Sequence, residues 1–388
     1  MHLLRVLSYL AALGTIASAG YYVLCLWSAA IFLRDRRRAP HNQSADFAPP
    51  VSILKPLKGT DPEIYQSFRS HCLQDYPEYE LIFGVSDAND PAIQEVLRLQ
   101  QEFPHRAIRL LHCTENLGTN TKVSNLAQMV RQARYEHLVV NDSDIRVEKD
   151  YLQRVISGLR DESVGMVTCL YRGVPAHTLG SRLESLGIST DFSAGVLAAR
   201  QIESGIRFGL GSTLAFRGSD LKAIGGFESI VDYLADDYEL GVRIAQQGKK
   251  VKLSDVVVET FLPPYSLVAF VRHQLRWARS VRDSRRWGYL GLILTFGMMW
   301  ALLTLLLSQG ATWAWLLLAV TGLLRFSVAL RVGRVALDDR QVSRLLPLIP
   351  LRDLIAFAVW AISFTGHTVD WRGSSFILKN GKLARFES

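Results

Sequence analysis

Between Leu7 and Leu33 the chain runs 27 residues without a single charge. A helix needs about 20 apolar residues to cross the hydrocarbon core of a bilayer. Only a helix or a closed barrel can keep its backbone polar groups satisfied there, so this run predicts a membrane-spanning helix. A cleaved signal peptide has similar flanks, here Arg5 and Ala17-Ser18-Ala19. The apolar run continues past Ala19, however, and stops at Arg34-Asp35-Arg36-Arg37-Arg38. A basic cluster after a span is a stop-transfer pattern, and the positive-inside rule puts the next stretch of chain in the cytoplasm.

The rest of the apolar surplus lies near the other end. Gly288–Ser308 is uncharged and long enough to span, and Ala311–Leu330 comes next with one charge, Arg325. The Gln309-Gly310 turn between them makes the two read as a helical hairpin. Leu345–His367 is interrupted by Pro347, Pro350, Arg352 and Asp353, and reads either as a third crossing or as a re-entrant piece. The tail is basic, with Arg372, Lys379, Lys382 and Arg385.

The net charge of +8 fits either nucleic acid or an anionic membrane surface. Its placement decides: the dense basic runs, Arg34–Arg38 and Arg272–Arg286, abut long apolar segments. No zinc-finger spacing or aromatic RNA-binding signature is present, so no nucleic-acid partner is expected. The four cysteines, Cys25, Cys72, Cys113 and Cys169, form no CxxC pair, so neither a zinc site nor a dithiol motif is indicated.

The middle, about Val51 to Pro263, alternates apolar strands with helical stretches. Strands are expected at 51–54, 79–85, 108–112, 137–140 and 164–170, with helices at 64–73, 92–103 and 123–133. Such alternation predicts an α/β domain with a mainly parallel sheet, whose ligands bind at the carboxyl ends of the strands. There is no P-loop, no dinucleotide glycine fingerprint and no nucleophile elbow.

Candidate chemistry sits where the strands end. Asp142-Ser143-Asp144 places two carboxylates just past a buried strand, a donor set that suits Mg²⁺ or Mn²⁺ together with phosphate oxygens; its plain alternative is a turn. Asp87 closes another strand and can accept hydrogen bonds from a nucleoside, or simply form an Asx turn. Lys122 can pair with phosphate. Asp236 and Asp237 precede a helical pattern, where a carboxylate can act as a general base or stabilise a helix N-terminus. In His273-Gln274-Leu275-Arg276-Trp277, Arg can clamp a diphosphate and Trp can stack on a sugar or sit at the lipid interface.

Taken together, Asp87, Asp142, Asp237 and Arg276-Trp277 resemble the D,D,D,(Q/R)xxRW signature of lipid-directed and processive GT-A glycosyltransferases. The chain is more closely similar to the ceramide glucosyltransferases, glycosyltransferase family 21, and to bacterial relatives in hopanoid biosynthesis. The resemblance runs from Val51 to Trp277 and includes Val51-Ser52-Ile53-Leu54-Lys55-Pro56-Leu57-Lys58-Gly59, Asp87-Ala88-Asn89-Asp90-Pro91-Ala92, Asp142-Ser143-Asp144-Ile145-Arg146-Val147 and Ala235-Asp236-Asp237-Tyr238; Trp371-Arg372-Gly373 matches in the tail. Two positions depart from the pattern. His273 stands where it has Gln or Arg, and Asp191 falls near a histidine of the animal enzymes.

The resemblance implies a GT-A domain using a UDP-sugar and a divalent metal. Asp87 would hold the uridine, Asp142 with Asp144 the metal and diphosphate, and Arg276 would face the diphosphate; Lys122, chosen by residue type and not by the resemblance, is expected to join the donor site. Asp237 would be the base, and His273, Gln274 and Trp277 would contact the acceptor. The expected organisation is an amino-terminal anchor (1–33), a basic linker (34–50), the GT-A domain (51–286), carboxy-terminal membrane helices (287–369) and a basic tail (370–388). The expected protein is a multi-pass enzyme of a bacterial inner membrane with a cytoplasmic catalytic domain, inverting UDP-glucose onto ceramide. Transfer of N-acetylglucosamine from its UDP form to a hopanoid polyol is the alternative within the same chemistry. A processive synthase and an inactive nucleotide-binding protein are the remaining ones.

Overall fold

The inner strands of the sheet come from runs buried on both faces. In a computed structural model that describes residues 2–38, 47–371 and 374–384, every residue of β1 (Val51–Pro56) and β2 (Tyr79–Val85) is buried. Continuous apolar runs of this kind mark parallel strands covered on both sides. With β3 (Ala107–His112), β4 (His137–Val140), β5 (Ile145–Arg146), β6 (Val164–Val174), β7 (Leu214–Arg217) and β8 (Lys250–Phe261) they form one eight-stranded sheet, ordered β3-β2-β1-β4-β7-β6-β8-β5. Four of its seven pairings are parallel: β1 with β2 and β4, β2 with β3, and β6 with β8. β7 runs antiparallel to β4 and β6, and β5 antiparallel to β8, which alternation alone does not predict. The order reverses between β1 and β4, the switch point at which such sheets bind ligands.

The chain divides into two compact units interleaved in sequence. The sheet belongs to the unit made of residues 38–174, 203–263 and 381–388; residues 1–37, 175–202 and 264–380 make the other. In the latter, the helix His2–Arg38 contains the expected first span. Thr312–Ala336 and Val342–Ser363 are also long and apolar enough to cross a membrane, so the Pro-interrupted third segment is a helix with its prolines in its opening turns.

Gly288–Ser308 is not the single straight span expected of it. Arg286–Thr295 and Gly297–Leu307 meet at a 56° bend, where Phe296 leaves helical geometry at φ −85°, ψ 53°. The freed backbone groups find a side chain: Tyr22 Oη donates to Thr295 O (3.1 Å) and accepts from Gly297 N (3.2 Å). Breaks in apolar helices persist only where such partners exist. Small residues let the helices approach: Thr15 and Thr304 hydroxyls lie 3.0 Å apart, and the ring of Trp300 packs on Gly14. The hairpin turn is as expected, with Gln309 and Gly310 both at positive φ.

Arg325 and Asp353, charges inside two of the apolar segments, pair with each other. Arg325 is almost fully buried and reaches Asp353 Oδ1 at 2.8 Å and Asp191 Oδ1 at 2.5 Å. Removing one partner of a buried pair typically costs about 3–5 kcal/mol because the other charge is stranded. Arg325→Met should therefore lower the thermal midpoint of the solubilised protein sharply, and adding Asp353→Leu should recover part of the loss. An unchanged midpoint in the single variant refutes this role.

Candidate active site

Residues from four separated stretches meet at the carboxyl ends of β1 and β4. Beyond β4, Asn141 is fully buried and fixes the turn: its side-chain amide donates to Tyr151 Oη (2.9 Å) and to Ser212 O (2.7 Å). The turn presents Asp142 and Asp144. Lys122, on the first turn of the helix Thr121–Val130 capped by Asn120, reaches Asp142 Oδ1 at 2.8 Å and Asp236 Oδ2 at 3.0 Å. Asp236 and Asp237 open the helix Asp236–Gln246, so the helix-terminus role of these acids holds alongside any chemical one.

Asp237 is held by backbone. Its Oδ2 accepts from Gly211 N (2.7 Å) and its Oδ1 from Tyr238 N (2.8 Å). Gly211 also brings Asp142 into range: a Cβ there would lie 3.2 Å from Asp142 Oδ2 and 3.3 Å from Asp237 Oδ2. Two carboxylates thus flank one glycine, with the Lys122 ammonium beside them.

The electrostatics arise from burying several acids together. Burial and the Asp236 carboxylate push Asp237 up to about 6. Burial and Asp142 push Asp144 up to about 7. Asp236 is raised by burial, an effect Lys122 partly offsets. Burial works against the Lys122 ammonium, but Asp142 and Asp236 outweigh it and hold Lys122 charged. These shifted groups at the mouth of the sheet have the character of an acid–base site.

Lys55, which enters the sequence pattern only as one member of a motif, stands under the same turn. Its Nζ donates to Asp142 O (2.9 Å), and burial lowers it to about 7 despite Asp144 and Asp142 nearby. The signal in the sequence was a charged residue in an otherwise apolar strand with no exposed face.

Asp142 and Asp144 fit a divalent cation of the open kind. Asp144 Oδ2 accepts a hydroxyl hydrogen bond from Thr260 (2.5 Å). Burial beside Asp142 disfavours the charge on its carboxyl, a penalty that a bound cation would relieve. Among the described residues no group of three or more His, Cys, Asp or Glu converges as a closed cage. Two carboxylates are enough where phosphate oxygens and water complete the shell.

Asp87 comes just after β2, and its Oδ1 accepts from Asn89 N (2.9 Å), an Asx turn. The remaining expected residues lie in the other unit, on the helix Leu267–Ser284. Gln274 donates to Glu184 Oε2 (2.8 Å) and accepts from Arg352 Nη2 (3.0 Å). His273 stacks on Tyr265, with Trp277 at 5.6 Å, and Trp277 meets Phe192 edge-on. Glu184, buried among these groups, does not stand out in the sequence. Arg276 lies half-buried on the same helix. The tail residues Arg372, Gly373 and Arg385, and linker positions 39–46, lie outside the described residues.

Comparison with known proteins bears on the whole chain. Two Caenorhabditis elegans proteins, ceramide glucosyltransferase 3 and ceramide glucosyltransferase 1, are each 26% identical to it, over 68% and 60% of this chain and 58% and 49% of theirs. The ceramide glucosyltransferase of Komagataella phaffii is 36% identical over 28% of this chain and 22% of its own. The chain spans about half the length, or less, of these curated relatives. Among solved structures, a mannosyltransferase from Pyrobaculum calidifontis in complex with GDP-Man and Mn²⁺ superposes with a TM-score of 0.57 at 20% identity, covering 92% of this chain and 98% of that one. This likeness supports the GT-A fold. The family model described as glycosyl transferase family 21 matches residues 10–384, nearly the entire sequence, and the chain therefore belongs to glycosyl transferase family 21.

Proposed function

We propose that this chain is a membrane-bound inverting glycosyltransferase that moves glucose from UDP-glucose to the primary hydroxyl of ceramide. One observation carries the chemistry: Asp142, Lys122, Asp236 and Asp237 converge at the switch point of the sheet in a chain of family 21. The names of the relatives support the choice of sugar and lipid.

In this mechanism the acceptor hydroxyl attacks the anomeric carbon from the face opposite the diphosphate. A new C–O bond forms, the bond to the diphosphate oxygen breaks, and UDP leaves with that electron pair. Asp237 takes the hydroxyl proton. Its raised pKa near 6 matches a base that must hold a proton briefly and lose it again near neutral pH. Lys122 contributes fixed positive charge beside Asp142. Asp142 and Asp144 would hold a divalent cation, Mg²⁺ or Mn²⁺, whose contribution is charge neutralisation on the departing diphosphate. Asp87 takes the uridine, Arg276 the diphosphate, and His273, Gln274 and Trp277 the acceptor, as the family resemblance implies.

The test is product identity. Purified full-length protein in lipid nanodiscs is given UDP-glucose with ceramide, and in a parallel arm UDP-N-acetylglucosamine with a hopanoid polyol. A product with the mass of a hexosylceramide in the first arm is expected. A product only in the second arm, or free sugar alone, overturns the assignment.

The proposal extends to topology. The sheet-bearing unit faces the cytoplasm of a bacterial cell whose inner membrane the apolar helices cross, because Arg34–Arg38 closes the first span. A reporter fused after Arg38 should be active only if it works in the cytoplasm. Activity from a periplasm-only reporter at that position reverses the topology.

A further inference from the structure

One short segment stands outside the catalytic chemistry. Residues 382–384 form a strand that lies along the loop leading into Asp236. Leu383 N donates to Asp232 O (2.7 Å), and Leu234 N donates to Gly381 O (3.0 Å). Tyr233 bridges Lys382 in antiparallel register. The Lys382 ammonium lies 5.3 Å from the centre of the Tyr233 ring, and the Arg243 guanidinium 5.4 Å from it. Leu383 is buried. Gly381, at φ +77°, supplies the left-handed backbone that turns the chain into this strand.

The other edge of the same loop is tied to the element that carries Lys122. Asp232 Oδ1 accepts from Thr119 N (2.9 Å) and Thr119 Oγ1 (3.0 Å). Asn120 donates from its amide side chain to Tyr233 O (2.7 Å) and from its backbone to Val231 O (2.8 Å). The approach requires a glycine: a Cβ on Gly118 would lie 2.5 Å from Val231 Cγ2 and 2.9 Å from Asp232 Oδ1. Residues 231–234 are thus held on both edges, and the helix with the paired acids begins two residues later.

We propose that the strand Lys382–Ala384 is a strap that positions Asp237 for catalysis, with Leu383 as its central positioning residue. This rests on the assignment of Asp237 as the base. Catalytic groups tolerate little displacement, and about 1 Å can cost about 10²-fold in rate. A loop held only at the Thr119-Asn120 edge lets the first turn of the Asp236–Gln246 helix shift relative to Gly211. On the donor side the loop meets the Lys122 element through Thr119 and Asn120; those bonds are made by its other edge and do not involve residues 382–384, so loss of the strap should disturb Asp237 more than nucleotide binding.

Full-length protein tests this with two variants. Leu383→Pro deletes the N–H that bonds Asp232; Leu383→Ile keeps the N–H and the apolar side chain. Leu383→Pro should lower turnover at saturating UDP-glucose and ceramide by about tenfold or more, with UDP affinity within about threefold of wild type, and Leu383→Ile should restore turnover. Wild-type turnover in Leu383→Pro overturns the proposal. If that variant fails to fold, hydrogen exchange on the wild-type protein decides: slow exchange at Leu234 and Leu383 supports the strap, and exchange at unstructured rates sinks it. A wild-type protein that turns over no nucleotide sugar would refute the enzymatic assignment, while the exchange measurement still judges the strap.

Discussion

Asp237→Asn is expected to cut turnover by about 10²–10⁴-fold and leave UDP-glucose binding nearly intact, because general-base help is worth that much. The amide keeps an oxygen for one of the two backbone N–H groups that Asp237 now binds, but it cannot take the acceptor proton. The pH profile adds a sign. Asp237 is pushed up to about 6, so turnover in the wild-type protein should rise as pH increases through about 6, where the carboxylate forms. The same shift costs folding stability: a carboxyl whose folded pKa exceeds its unfolded value binds protons better when folded, so stability falls as pH rises and is lowest above about 6. In the Asn variant relief of that buried charge is offset by one backbone N–H left facing an amide N–H, so melting at pH 8 should stay close to wild type while turnover falls far below it. If both acids served only the helix N-terminus, at about 0.3–1 kcal/mol each, the variant would melt slightly earlier and keep its turnover per folded molecule. Asp236→Asn should be the milder lesion, since Lys122 keeps Asp142 as its partner. Near-normal turnover in folded Asp237→Asn removes it from the role of base.

The second large effect concerns the Asp142-Ser143-Asp144 turn. Asp144→Ala should abolish the metal-dependent part of UDP binding and lower turnover by about 10²–10³-fold, the range expected when several kcal/mol of charge stabilisation on the leaving group is lost. Asp144 is pushed up to about 7 by burial and by Asp142, and a metal ligand must be deprotonated. In the wild-type protein, UDP affinity in Mn²⁺ should strengthen as pH rises through about 7. That slope should vanish in Asp144→Ala and in excess chelator. Full turnover in chelator would remove the cation from the mechanism.

Much of the architecture was legible in the residues. Periodicity and apolar run length report local burial, and that placed β1, β2 and β4, the first span and the Gln309-Gly310 hairpin within a few residues of where they lie. Strand ends could be read too, and with them Asp87 and the Asp142-Ser143-Asp144 turn. Asp236 and Asp237 were visible as paired acids before a helical pattern. Family resemblance, rather than any physical rule, attached roles to them.

The remainder depends on residues far apart in sequence. A run such as Gly288–Ser308 looks like one span because hydropathy sums composition; the bend at Phe296 needs the Tyr22 hydroxyl, from a helix 273 residues earlier, to satisfy the broken backbone. Arg325 and Asp353 looked like interruptions of apolar helices and are each other's partner. Lys55 was a lone charge in a mostly apolar strand, and Lys122 was a phosphate candidate by residue type alone. Only the packing of β1 under the Asp142 turn, and of the Thr121–Val130 helix beside Asp236, makes one a buried donor and the other the cation between two carboxylates. Sequence alone determined which segments avoid water and where the chain turns, because those depend on neighbours a few residues away. The tertiary structure decided which charges meet, because the energy of a buried charge depends on what lies within a few ångströms of it.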